Sequence, residues 1–150
     1  MNSFRTRFPL GAKCISVAGL GLAVVLAGCG EKGPARHNVS GKVTFAGKPV
    51  PAGRIVFEPD SAAGNKGPAG FAEISDGQYD TARAGQGTVG GPHVARITGL
   101  EGKPVGNAVV NPLFNTYEAK VDLGDGASTQ DFDVPASAAS GLKPSSEPPP

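Results

Sequence analysis

Tryptophan is absent from the 150-residue chain, and aromatic side chains make up only 6% of it. Sugar-binding platforms usually expose Trp or Tyr, so the composition argues against one. Charged residues are equally sparse at 18%, and the formal charge of +1 excludes a strongly basic nucleic-acid binder. Cysteine is limited to two, and Gly (23) with Pro (14) supplies about a quarter of the residues. Gly and Pro are the two poorest residues in a helix interior, so a helical bundle is excluded too. What remains is one small domain with flanking segments.

The longest apolar stretch, Ile15 to Leu26, follows Arg5, Arg7 and Lys13. As a helix its twelve residues would reach about 18 Å, short of the ~30 Å hydrocarbon core of a bilayer. A positive leader and a short apolar run are the pattern of an export signal rather than of a membrane span.

The run ends in Leu26-Ala27-Gly28-Cys29, which resembles the lipobox of bacterial lipoproteins. The resemblance implies a signal peptide over 1–28, cleaved before Cys29, with Cys29 carrying lipid on its sulfur and on its new amino end. Small residues at Ala27 and Gly28 would let a peptidase approach the backbone. Several acyl chains would anchor stably where one alone is marginal, at about 0.8 kcal/mol per buried CH₂. The implied partner of Cys29 is membrane lipid, and the implied location is the bacterial cell envelope. Gly30 follows the cysteine where an Asp would signal inner-membrane retention, so the outer membrane is the default if the organism has one.

Processing would alter the chemistry left behind. Cys14 leaves with the leader and Cys29 is consumed, so no thiol remains for a disulfide, a metal or a nucleophile. Three of the 14 basic residues leave and none of the 13 acidic ones do, giving a net side-chain charge of −2. No basic patch remains to recruit nucleic acid.

Residues 29–37 read as the lipidated cysteine and a flexible tether, and 136–150, ending in three prolines, as a disordered tail. Residues 38–135 alternate with period two, the signature of half-buried strands. Val39, Val43 and Phe45 share a face with Gly41. Ile55 and Phe57 point inward, as do Tyr79, then His93, Ala95 and Ile97. Tyr117, Ala119, Val121 and Leu123 oppose Glu118, Lys120 and Asp122. Phe132 and Val134 close the series. Seven strands result: 39–45, 54–58, 71–74, 78–81, 93–98, 117–123 and 128–134. Residues 82–91 read as a flexible Gly-rich stretch and 100–112 as a loop. The expected fold is an all-β, seven-stranded sandwich of immunoglobulin-like or prealbumin-like architecture.

The segment Val39 to Gly53, the turn Asp76-Gly77-Gln78-Tyr79 and the strand Gly90 to Ile97 together resemble the carboxypeptidase regulatory-like domains, which are transthyretin-like β-sandwiches. That resemblance implies a non-catalytic binding, adhesion or spacer module.

The residues themselves offer little for catalysis. His37 falls in the tether and His93 in a strand face, 56 positions apart, which makes no zinc set. No serine occupies a nucleophile elbow. Gly85 to Gly90 has neither the lysine nor the following helix of a phosphate loop. Asp122, Asp125, Asp131 and Asp133 read as turn and solvated strand residues rather than calcium ligands. The expectation is no catalytic residue, no metal and no cofactor, with an unidentified protein or glycan partner at the envelope. Two rivals remain: a carbohydrate- or ligand-binding accessory of a secreted complex, and a transthyretin-related hydroxyisourate hydrolase. That hydrolase family ends in Tyr-Arg-Gly-Ser, whereas this chain ends in Pro148-Pro149-Pro150.

Overall fold

The computed structural model describes residues 33–106 and 109–142. Within them the chain is almost entirely strand and turn. The strands are β1 (Val39–Phe45), β2 (Lys48–Pro49), β3 (Ala52–Pro59), β4 (Gly70–Ser75), β5 (Gln78–Asp80), β6 (Gly85–Gln86), β7 (Gly91–Leu100), β8 (Tyr117–Leu123), β9 (Ser128–Thr129) and β10 (Phe132–Val134). Short 3-10 turns occur at Ser61–Ala63 and Ala136–Ala139.

Each of the seven expected alternations coincides with a strand. The count rises to ten because the last alternation splits into β9 and β10, and because two-residue ladders form at β2 and β6. Such short ladders carry no periodicity for a sequence to show.

One hydrogen-bonded path runs β10-β1-β5-β4-β3-β7-β8. Its pairings are antiparallel except for β1 with β10, and β9, off this path, also pairs with β1 in parallel. β1 is shared along its length: Ser40 to Lys42 pair with β5, and Val43 to Phe45 with β10.

The path curls upon itself, as the aromatic contacts show. Phe57 of β3 and Phe132 of β10 lie several strands apart along the sheet, yet their ring centroids are 6.3 Å apart. Tyr79 fills the space between, 5.9 Å from Phe57 and 6.2 Å from Phe132. β3 and β10 thus face each other across a common core, the arrangement of a sandwich. Tilted pairs at these separations add about 0.5–1.5 kcal/mol beyond burial.

Most of the inward residues read from the sequence are the core, while Phe45, Tyr117, Ala119 and Val121 are only partly buried against it. Val43, Ile55, Phe57, Ala95, Ile97 and Val134 are fully buried, and Val39, Tyr79, Leu123 and Phe132 nearly so. In β4 the inward face is Gly70, Ala72 and Ile74, with Phe71 and Glu73 turned outward. Gly41 sits mid-strand because the Gln130 carbonyl presses on its Cα, where a side chain would overlap it.

Both flanks of the domain are tied down further than composition suggests. His37 exchanges backbone hydrogen bonds with Thr88, at 2.8 and 3.0 Å. Arg36 donates to the carbonyls of Ala69 and Gly87. At the other end, the Ala138 carbonyl accepts from Asn115 N–H at 3.0 Å, and Ala138 and Ala139 pack on the core. The three terminal prolines lie outside the described residues.

The loop after β7 also contributes to the core. Phe114 is 2% exposed and stacks on Phe45, 5.1 Å between centroids. Gly99 of β7 admits the ring, because a Cβ there would collide with it.

Candidate functional site

The sequence-predicted site residues Leu26, Ala27, Gly28 and Cys29 lie outside the described residues. Nearest to them in the described chain are Gly33, Pro34 and Ala35, all exposed. Among the described residues no helix is long and apolar enough to cross a membrane.

His93 holds a structural position. It is 1% exposed. Its Nδ1 lies 2.8 Å from the Gly91 carbonyl, which can only accept, so Nδ1 carries the hydrogen. Nε2 then accepts from the Thr88 hydroxyl at 2.7 Å. Both ring nitrogens are therefore occupied. Asn65 braces the same corner, donating to the carbonyls of Gly90 and Pro92.

Asp60 caps the 3-10 turn at Ser61–Ala63 through the N–H groups of Ala62 and Ala63. Its other oxygen is 3.3 Å from Lys120 Nζ. Burial opposes the charge, but the Lys120 ammonium and the two N–H donors outweigh it and hold this carboxyl below its usual range. Tyr79 is likewise committed: its hydroxyl donates to the Gln130 carbonyl at 2.7 Å. Burial, reinforced by the Asp131 carboxylate, pushes the phenol well above its ordinary value.

The four acidic residues Asp122, Asp125, Asp131 and Asp133 do not gather. Asp131 accepts from Lys42 N–H at 2.7 Å, and Asp133 from the Thr44 hydroxyl at 2.6 Å. Among the described residues no group of three or more His, Cys, Asp or Glu forms a metal-binding set.

A shallow, open groove of about 820 Å³ lies over the outer faces of β1, β5 and β4. Its floor follows from register: Ser40 opposes Asp80, and Lys42 and Ser75 each oppose Gln78. One wall is the turn at Arg83 and Ala84, held by Glu73 N–H donating to the Ala84 carbonyl. The other is the segment Thr129 to Asp131, held by Gln130 N–H donating to the Ser40 carbonyl.

The carboxylates of the groove already have partners. Glu73 pairs with Arg54 at 2.6 Å, Asp80 accepts from Ala82 N–H, and Asp131 accepts from Lys42 N–H. Lys42 and Arg83 make no ion pair among the described residues. The groove therefore offers two cations beside the hydroxyls of Ser40, Ser75 and Thr129 and the amide of Gln78. Sequence reasoning missed it, because its residues come from five separated segments. The alternation showed only that Ser40 and Lys42 point outward.

No protein-family model matches the chain, and a search of curated proteins finds no match.

Proposed function

We propose that the protein is a lipid-anchored β-sandwich of the bacterial cell envelope, acting as a non-catalytic binding, adhesion or spacer module of the carboxypeptidase regulatory-like kind. The observation that carries this reading is the ordered series of positive leader, twelve-residue apolar run and Leu26-Ala27-Gly28-Cys29. The domain chemistry is compatible with it. The core is apolar, and the buried polar groups His93, Asp60 and Tyr79 are spent on structural hydrogen bonds. Lipid on Cys29 would tether the domain through the few residues before Arg36 and His37.

Metabolic labelling with a radioactive fatty acid tests it. Label should enter the wild-type chain and be lost from Cys29→Ala. Equal labelling of both, or none in either, would overturn the anchor.

The groove favours a second reading, a carbohydrate- or ligand-binding accessory protein. Hydroxyls, an amide and two cations without ion-pair partners among the described residues suit a polyhydroxylated, anionic ligand better than an apolar one. A glycan array probed with the purified chain should show acidic sugars bound, and Arg83→Ala should weaken that signal. An array without binding removes this reading.

A further inference from the structure

β8 is the last strand of the sheet path, and among the described residues it pairs only with β7. At seven residues it is a long edge to leave open, and an open edge is a template for strand addition.

The free backbone groups follow from the β7 pairing. Pro92 has no N–H, and its carbonyl accepts from Asp60 N–H on the β3 side. Pro92, Val94 and Arg96 therefore bond toward β3, and His93, Ala95 and Ile97 toward β8. In the observed register those last three face Val121, Ala119 and Tyr117. The N–H and C=O groups of Glu118, Lys120 and Asp122 consequently point outward.

The side chains of this edge are incompletely covered. Tyr117, Ala119 and Val121 pack on the core but are only partly buried. On the other face Glu118, Lys120 and Asp122 alternate in sign and are exposed. The Lys120 side chain is 81% exposed despite its contact with Asp60, so its ammonium is open to a second partner.

We infer that the β8 edge pairs antiparallel with β8 of a second copy of this chain, about a two-fold axis through Ala119. Charge complementarity selects that partner, in a register centred on Ala119 or on Val121; the facing Tyr117 and Val121 side chains select Ala119, since centring on Val121 would set Ala119 against the buried Leu123. Centred on Ala119, each Glu118 faces the other copy's Lys120, and each Tyr117 faces a Val121. Both are favourable cross-strand pairs, and the two Glu118–Lys120 pairs are the ones whose backbone groups are free to bond. Centring on Lys120 would set Lys120 against itself and Glu118 against Asp122, which like charges disfavour. The alternation that would repel a uniformly charged edge thus matches its own copy. This inference does not depend on the lipid anchor.

The test uses the full chain in mild detergent. Sedimentation should show a dimer that dissociates on dilution. Lys120→Pro should be monomeric with an unchanged strand spectrum, because it deletes an outward N–H and leaves the β7 ladder intact. Ala119→Cys should give a covalent dimer under mild oxidation well above the parent chain, since facing non-bonded residues have Cα atoms about 4.5 Å apart. Lys48→Cys, exposed elsewhere, should stay at the parent level. If Lys120→Pro fails to fold, the Ala119→Cys cross-link decides alone. A wild-type monomer at the highest soluble concentration, or a dimer without cross-linking at 119, overturns the inference.

Discussion

The hydroxyl of Thr88 and Nε2 of His93 lie 2.7 Å apart, both buried, and join the Gly-rich segment before β7 to the strand that follows it. Thr88 is also the residue whose backbone clasps His37. One small residue thereby fastens the start of the domain at His37 to β7.

Thr88→Val keeps the shape and removes the donor, leaving Nε2 buried without a partner. A loss of about 1–3 kcal/mol in unfolding free energy is expected. Thr88→Ser should lose less. Urea titration of both variants against wild type measures the difference.

Gly41→Ala places a methyl on the Gln130 carbonyl oxygen. Backbone on both sides leaves little room to yield, so a cost of about 1–3 kcal/mol or more is expected. Lys48→Ala on the exposed hairpin should change stability by less than about 0.5 kcal/mol. Equal midpoints for the two variants would contradict the close approach.

Phe114→Ala empties the space under Gly99 and beside Phe45. A loss of about 3–5 kcal/mol is expected for a buried phenylalanine, large against the marginal stability of a domain this size. Thermal unfolding with near-ultraviolet circular dichroism would register it.

Asp60 and Asp76 both have carboxyls held below the ordinary range. At Asp60 burial opposes, and Lys120 with backbone donors prevails; at Asp76 the Lys103 ammonium dominates. A depressed folded-state pKa adds stability above the unfolded value, about pH 4, and that stability is lost as the pH falls through the folded value. Melting temperature should drop on acidification below about pH 4, and less steeply in Asp60→Asn. Melting curves recorded from neutral pH downward give the comparison.

Much of the sheet was legible because its inner residues alternate. Val39/Val43, Ile55/Phe57, Ala95/Ile97 and Phe132/Val134 are apolar at period two between turn residues, and all are buried. Phe114 was not legible, since a core residue on a loop belongs to no period. Thr88 and Val89 were hidden in a Gly-rich stretch that reads as flexible, yet both are buried. Nor does local sequence specify that the first strand lies parallel to the last. The groove was illegible for the same reason, as Lys42, Arg83 and Thr129 meet only through register.

The parallel clasp of β1 on β10 has a temporal consequence. Val43 needs Phe132, and Phe45 needs Val134, as neighbours. A polypeptide emerging amino end first can pair β1 with β2 and β5 early, but the other edge of Val43 to Phe45 lacks its partner until Val134 has emerged. Closure of this edge is the last pairing that a chain made amino end first can form.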